Sequence, residues 1–212
     1  MSCASVADDT GITGTSYRGL TVLRRFAGGC GIASQVTALV SLLVAVYQFP
    51  WFSWTEQDLS ILGVEGPAAT LFNSGLIITG ALSLIFALGL AKSLLSGRFP
   101  GRLGVVSLFL GSAALSATGI FPETNVISHN FASIAFLIFI SIAILFIGIR
   151  ALAVWSKIWG VLSITVAILI VAFQQAPWPW TGAAIPQLLS CWLWSWWTIA
   201  FAVRLLVKPG HE

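Results

Sequence analysis

The chain has 212 residues, of which 58% are hydrophobic and only 8% charged, with a formal net charge of +3. A soluble domain carries about 25% charged residues, so this composition excludes an ordinary water-soluble globule. The small positive balance is spread over loop flanks and forms no basic patch, and no nucleic-acid partner is expected.

Residues 1–23 are rich in Ser, Thr and Gly, include Asp8 and Asp9 and lack an apolar core. They read as a disordered cytoplasmic tail with no cleavable signal. Six apolar segments follow and define a transmembrane domain over residues 24–208. Spans are predicted at Phe26–Gln48, Ala68–Ala91, Leu103–Phe121, His129–Ile149, Lys157–Gln174 and Ile185–Leu206. Runs of this length must be helices. In lipid every backbone N–H and C=O has to be satisfied within the segment, and barrel strands are about half as long. The fold class is all-α: a polytopic membrane protein with six transmembrane helices, located in the cell membrane.

Charge sets the orientation. Arg18, Arg24 and Arg25 precede the first span; Lys92, Arg98 and Arg102 fill the second break; Arg150 and Lys157 flank the fourth; Arg204 and Lys208 follow the sixth. The first, third and fifth breaks hold no Lys or Arg and carry Glu56, Asp58, Glu65 and Glu123 instead. Cytoplasmic loops are enriched in Lys and Arg, so both ends are predicted inside.

Span one carries Gln35 with Ser34, Thr37 and Ser41, a polar group expected to hydrogen-bond a neighbouring helix. The first outer loop, Phe49–Pro67, is long and polar and is expected to fold back as a lid. The descending spans each open with an amide, Asn73, Asn130 and Gln187, at equal spacing along the chain. Their amides can tie helix ends to loop backbone. Span three has Gly104, Ser107, Gly111, Ser112, Ser116 and Gly119 at helical spacing, so its backbone should approach its neighbours closely. A short inner link, Arg150–Ser156, joins spans four and five. Trp51, Trp54, Trp178 and Trp180 mark the outer interface, and Trp155 and Trp159 the inner one. Span six places Trp192, Trp194, Trp196 and Trp197 around mid-depth, facing lipid or lining a groove for an apolar chain. Cys3, Cys30 and Cys191 lie at different depths and form no disulfide framework.

The unusual polar residues gather at the outer face. His129 stands in the first turn of span four, with His211 as the only other histidine. Carboxylates from Glu56, Asp58 or Glu123 beside it would make a proton-exchanging centre, and these four are the catalytic candidates. The plainer reading has solvated loop acids and a His129 that bonds a loop carbonyl. Asn73, Asn130, Gln187, Trp192 and Trp196 are the candidate ligand contacts. One histidine with loop carboxylates is a sparse metal set, and neither a metal nor a cofactor is expected. The span centres hold no Asp, Glu, Lys or Arg, which argues against a proton pump, a voltage sensor or an ion-coupled transporter.

Three stretches carry a resemblance: Trp54–Gly63, then Leu71-Phe72-Asn73-Ser74-Gly75, then Gly119-Ile120-Phe121-Pro122-Glu123 followed by His129-Asn130. Their order and spacing resemble the six-span prokaryotic, mainly archaeal, membrane family DUF998. In layout this is similar to the FRAG1/DRAM/Sfk1 membrane proteins. The resemblance implies six helices, an outer polar face and, through the eukaryotic FRAG1/DRAM/Sfk1 proteins, lipid handling. It also implies an acidic residue at the start of the last span, where this chain has Gln187. Together these features predict a non-enzymatic membrane protein that binds or organises lipids. The alternatives are a lipid-modifying intramembrane enzyme with a His129/carboxylate centre and an accessory subunit of a membrane complex. Membrane lipids are the expected partners, together with a membrane-protein partner or a second copy.

Overall fold

A computed structural model describes residues 10–94 and 99–207. Cys3, Arg98, Lys208 and His211 lie outside the described residues. Among the described residues six α-helices follow in order: α1 Thr10–Gln48, α2 Gly66–Leu94, α3 Phe99–Ile120, α4 Val126–Val154, α5 Lys157–Gln175 and α6 Ala184–Val207. A single 3-10 turn, Leu59–Gly63, lies between α1 and α2. All six helices are long and apolar enough to cross a membrane, so the chain is a multi-pass membrane protein by length and composition.

The helices extend beyond the spans read from hydropathy alone. Helix α1 begins at Thr10, so the backbone is helical through Thr10–Leu23, where a disordered tail was expected. Once a long span has nucleated, each added residue costs little, and a polar extension propagates from it. Helix α4 runs on to Val154 and takes in Arg150, which is buried in its last turns. The link expected at Arg150–Ser156 therefore shrinks to Trp155 and Ser156. Ser156 begins α5 by accepting the Trp159 amide with its side chain.

Each helix packs on its sequence neighbours, and α6 returns to α1, which closes a ring. Short connections force neighbours to run antiparallel from α3 to α6, and the longer α1–α2 connection folds back so that α1 and α2 pack side by side as well. Lys92, Arg102, Arg150, Lys157 and Arg204 consequently share one end of the bundle, hereafter the basic end. Glu56, Asp58, Glu65 and Glu123 share the other, the acidic end.

Small residues make the seams. A Cβ at Gly28 of α1 would stand 2.8 Å from the Ala202 carbonyl of α6. One at Gly80 of α2 would meet the Ser112 carbonyl of α3 at 2.6 Å, and one at Gly111 of α3 would meet Ile140 of α4 at 3.0 Å. Helix α3 is the most enclosed, with 56% of its apolar window buried against 22% for α5. The small-residue stripe does pack inward, as its spacing predicts. Towards the basic end the interior is filled by Phe86, Leu90, Leu108, Ile144, Ile147 and Phe201. The Arg204 guanidinium stacks 4.2 Å over the Trp155 ring there.

Overpacking a tight seam costs about 1–3 kcal/mol. Gly80→Ala should therefore lower the thermal midpoint of the detergent-solubilised protein by several degrees. Gly29→Ala should leave it unchanged, since a Cβ there meets nothing within 4 Å. Equal midpoints for the two variants would contradict this packing.

Candidate functional site

The connection from α1 to α2 folds back over the acidic end. Its 3-10 turn buries Leu59 and Leu62 against Ala45 of α1, Phe72 of α2 and Ala184 of α6. Polar ties hold it there. The Leu59 amide donates to Gln187 Oε1 at 2.9 Å. Asp58 Oδ1 accepts the Ala183 amide at 2.7 Å, just before α6 begins. Asn73 Nδ2 donates to the Gly63 carbonyl at 2.9 Å. Two backbone bonds, Gly182 N to Thr55 O and Ala184 N to Gln57 O, lay the same connection alongside the α5–α6 loop. Gly182 has no alternative at this crossing, because a Cβ would collide with the Gln57 backbone.

Beneath this lid lies a cavity of about 210 Å³. Asp58, Glu123, His129, Asn130 and Gln187 line its acidic end. Deeper in, the walls are apolar: Leu42 and Leu39 of α1, Leu76 of α2, Leu115 of α3, Phe136 of α4 and Leu188 of α6. The floor is polar again. Ser195 of α6 lines it and donates to Gln35 Oε1 at 2.7 Å, while Gln35 Nε2 donates to Ser34. Gln35 thus bonds the neighbouring helix, as its depth in the span suggests. Leu39 and Trp192 line the cavity yet are 47% and 55% exposed. Both lie beyond the Gln35–Ser195 contact on α1 and α6, so the cavity reaches the outside of the bundle between these helices.

His129 is only 5% exposed and faces inward. Its Nδ1 lies 2.8 Å from the Phe121 carbonyl oxygen. A carbonyl can only accept, so Nδ1 carries the proton, and in the neutral ring Nε2 keeps its lone pair. Among the described residues Nε2 has no protein partner and no ion pair joins the ring to a carboxylate. The His129/carboxylate pairing that a catalytic centre would use is replaced by this carbonyl bond. Glu123 also lines the cavity, and its Oε2 is buried with no hydrogen-bond partner. An unsatisfied buried polar atom costs about 1–3 kcal/mol, more when charged.

The other candidates divide. Asp58 and Glu123 reach the cavity, and Glu56 does not line it. Gln187 lines it and ties the lid; Asn73 ties the lid from outside the lining. Asn130 lines the cavity with its amide unbonded. Of the two tryptophans, Trp192 lines the cavity, whereas Trp196 is 70% exposed on the outer face of α6. Trp194 and Trp197 turn into the core, where the Trp197 indole donates to Ser163 of α5. Sequence reading missed Ser195 and Cys191 as lining residues. Their only signal was the four-residue step from Gln187 to Cys191 to Ser195, which puts them on one helix face.

Residues 32–204 match the family described as "Protein of unknown function (DUF998)". The chain belongs to this family. No curated protein and no solved structure matches it. The DUF998 match runs from within α1 to within α6, so the lid and every cavity residue lie inside it.

A hydrogen bond to a charged acceptor contributes about 1.5–3 kcal/mol. Asp58→Ala should therefore loosen the lid locally, with faster amide hydrogen exchange over residues 59–63 and 182–184 and unchanged exchange in α3. Unchanged exchange over residues 59–63 would show that the Asp58 tie does not hold the lid.

Proposed function

We propose that this protein binds a single membrane lipid in the lidded cavity, with the head group at the acidic end and part of a chain lying along α1 and α6. One observation carries this reading: Leu39 and Trp192 are half exposed to the bilayer side and line the same cavity as Asp58, Glu123 and His129. A site that is polar at one end, apolar below and open sideways fits a molecule with that same polarity. Drug-sized ligands fill about 300–1,000 Å³. The smaller cavity here holds a head group and the first part of a chain, and leaves the remainder in the bilayer.

A lipid-modifying enzyme is a second reading, favoured by the Nε2 lone pair of His129, which a general base requires. Binding without turnover is preferred because the ring has no carboxylate to stabilise its imidazolium. The accessory-subunit reading needs an exposed small-residue stripe, and the stripe of α3 is used within the bundle. The segregation of Lys and Arg supports a cytoplasmic basic end and an outward-facing cavity in the cell membrane.

Gentle purification followed by mass spectrometry tests the binding. The parent chain and Trp196→Ala should retain lipid, and Leu39→Trp, which fills the side opening, should lose most of it. Equal lipid content in the parent and Leu39→Trp would overturn the reading. For orientation, a chain with its native cysteines changed to Ser should be labelled from outside intact cells at Glu56→Cys and not at Arg102→Cys. The reverse pattern would invert the topology.

A further inference from the structure

The polar end of the cavity is rich in acceptors and poor in donors. Asp58 keeps Oδ2 free after Oδ1 takes the Ala183 amide. Glu123 Oε2 is buried and unpartnered. Nε2 of His129, on a side chain 95% buried by its 5% exposure, cannot donate in the neutral ring, because the proton is held at Nδ1 by the Phe121 carbonyl. The hydroxyls of Thr118 and Ser133 are spent on the backbone carbonyls of their own helices. The remaining side-chain donors at this end are the Ser60 hydroxyl and the amides Gln187 Nε2 and Asn130 Nδ2, all neutral. No Lys or Arg lines the cavity or occurs in the loops at this end. The basic residues lie across the bundle, roughly 30 Å away at 1.5 Å per helical residue.

We infer that the site selects a primary ammonium group: on the lipid-binding reading above, the amine of an aminophospholipid head group. Its positive charge faces Glu123 and Asp58, and its N–H groups are donated to a carboxylate oxygen and to His129 Nε2. The Gln187 and Asn130 amides are then the donors for the adjoining phosphate. An anionic head group without an amine would set its charge against two carboxylates with no cation to answer it. A quaternary ammonium has no N–H to donate and is bound by aromatic faces. Here lone pairs line the polar end, and the aromatic lining is dispersed: Phe72 is packed against Leu59 and Leu62 of the lid, Trp192 lies at the side opening, and Phe136 lies seven residues beyond His129, roughly 10 Å along α4. A metal ion is a poorer fit, since no three His, Cys, Asp or Glu side chains among the described residues are placed to hold one.

The test uses the full chain in nanodiscs of equal parts phosphatidylethanolamine, phosphatidylcholine and phosphatidylglycerol, with retained lipid read by native mass spectrometry. Phosphatidylethanolamine should be enriched roughly tenfold over each of the others, the equivalent of one decade in Kd. Glu123→Gln should abolish most of that enrichment while leaving the melting midpoint within a degree or two. If Glu123→Gln does not fold, Asp58→Asn replaces it, because an amide keeps the Oδ1 acceptor for Ala183. Preferential retention of phosphatidylglycerol or phosphatidylcholine would overturn the amine assignment and leave lipid binding standing. So would enrichment of phosphatidylethanolamine that neither variant reduces. If no lipid is retained, lipid binding fails, and free ethanolamine decides what is left. A thermal shift that Glu123→Gln removes would assign the site to a soluble amine, and no shift would sink the amine as well.

Discussion

The hydrogen bond from the Leu59 amide to the Gln187 side chain joins the first connection of the chain to its last helix, and the acidic end is organised around it. Non-helical backbone at membrane depth survives only where its polar groups find partners inside the protein. The α1–α2 connection meets that demand from two sides. Asn73 on α2 takes up the Gly63 carbonyl, and Gln187 with the residues just before it takes up Thr55, Gln57 and Leu59. Asp58 adds a carboxylate beside the first turn of α6, where the unpaired amides and the positive end of the helix dipole favour it. The lid therefore serves as the cap of α6. Removing it would expose its own backbone and also the start of the helix that forms one wall of the cavity.

The same pair of helices packs tightly at one end and lines the cavity at the other. At the basic end α1 and α6 meet through Gly28, Gly31 and Ala202, where backbones come within reach of each other. Without a hydrophobic drive between helices in lipid, such close packing is a main source of association. Above the Gln35–Ser195 bond the larger side chains of Leu39, Leu42, Leu188 and Trp192 line the cavity in place of glycines. Residue size along one seam thus fixes both the rigid half and the cavity. The buried amide of Gln35 marks the boundary because it is the one long polar side chain in α1 at that depth, and it must bond across the seam or go unsatisfied.

Most of the fold was legible in the sequence, because the signals for spanning helices are long and redundant. The apolar runs, the segregation of Arg and Lys, and the small-residue stripe of α3 each follow from averages over many residues. The edges were less legible. Arg150 reads as a loop residue by charge, yet α4 carries it into a buried position, since a single basic residue does not end a helix. The site was half legible. Asp58, Glu123, His129, Asn130 and Gln187 stood out as polar groups at one end, and the ring topology brings them to one cavity. Gln187 ties loop backbone as an amide at a helix start can, and for His129 the sequence left a carboxylate and a carbonyl both open. Whether His129 meets a carboxylate or a carbonyl depends on where the Phe121 peptide points, and no pattern in the residues encodes that. The tryptophans of α6 show the same limit. Spacing alone does not tell that Trp192 lines the cavity and Trp196 faces outward while Trp194 and Trp197 face the core, until the neighbours of α6 are known.

His129 also shows why a structural and a chemical role need not compete at this site. The Phe121 carbonyl lies at the end of α3, where the last carbonyls of a helix lose their intrahelical partners. His129 stands in the first turn of the next helix, and its Nδ1–H fills that vacancy across the Pro122–Asn125 turn. The bond fixes the turn. It also fixes the ring plane and the tautomer, and so leaves the Nε2 lone pair for the cavity. A residue that merely bonded the carbonyl, such as Asn, would keep the turn and lose the inward-facing acceptor. Imidazole supplies a donor on one side and an acceptor on the other within one rigid ring, and here the carbonyl takes the donor side.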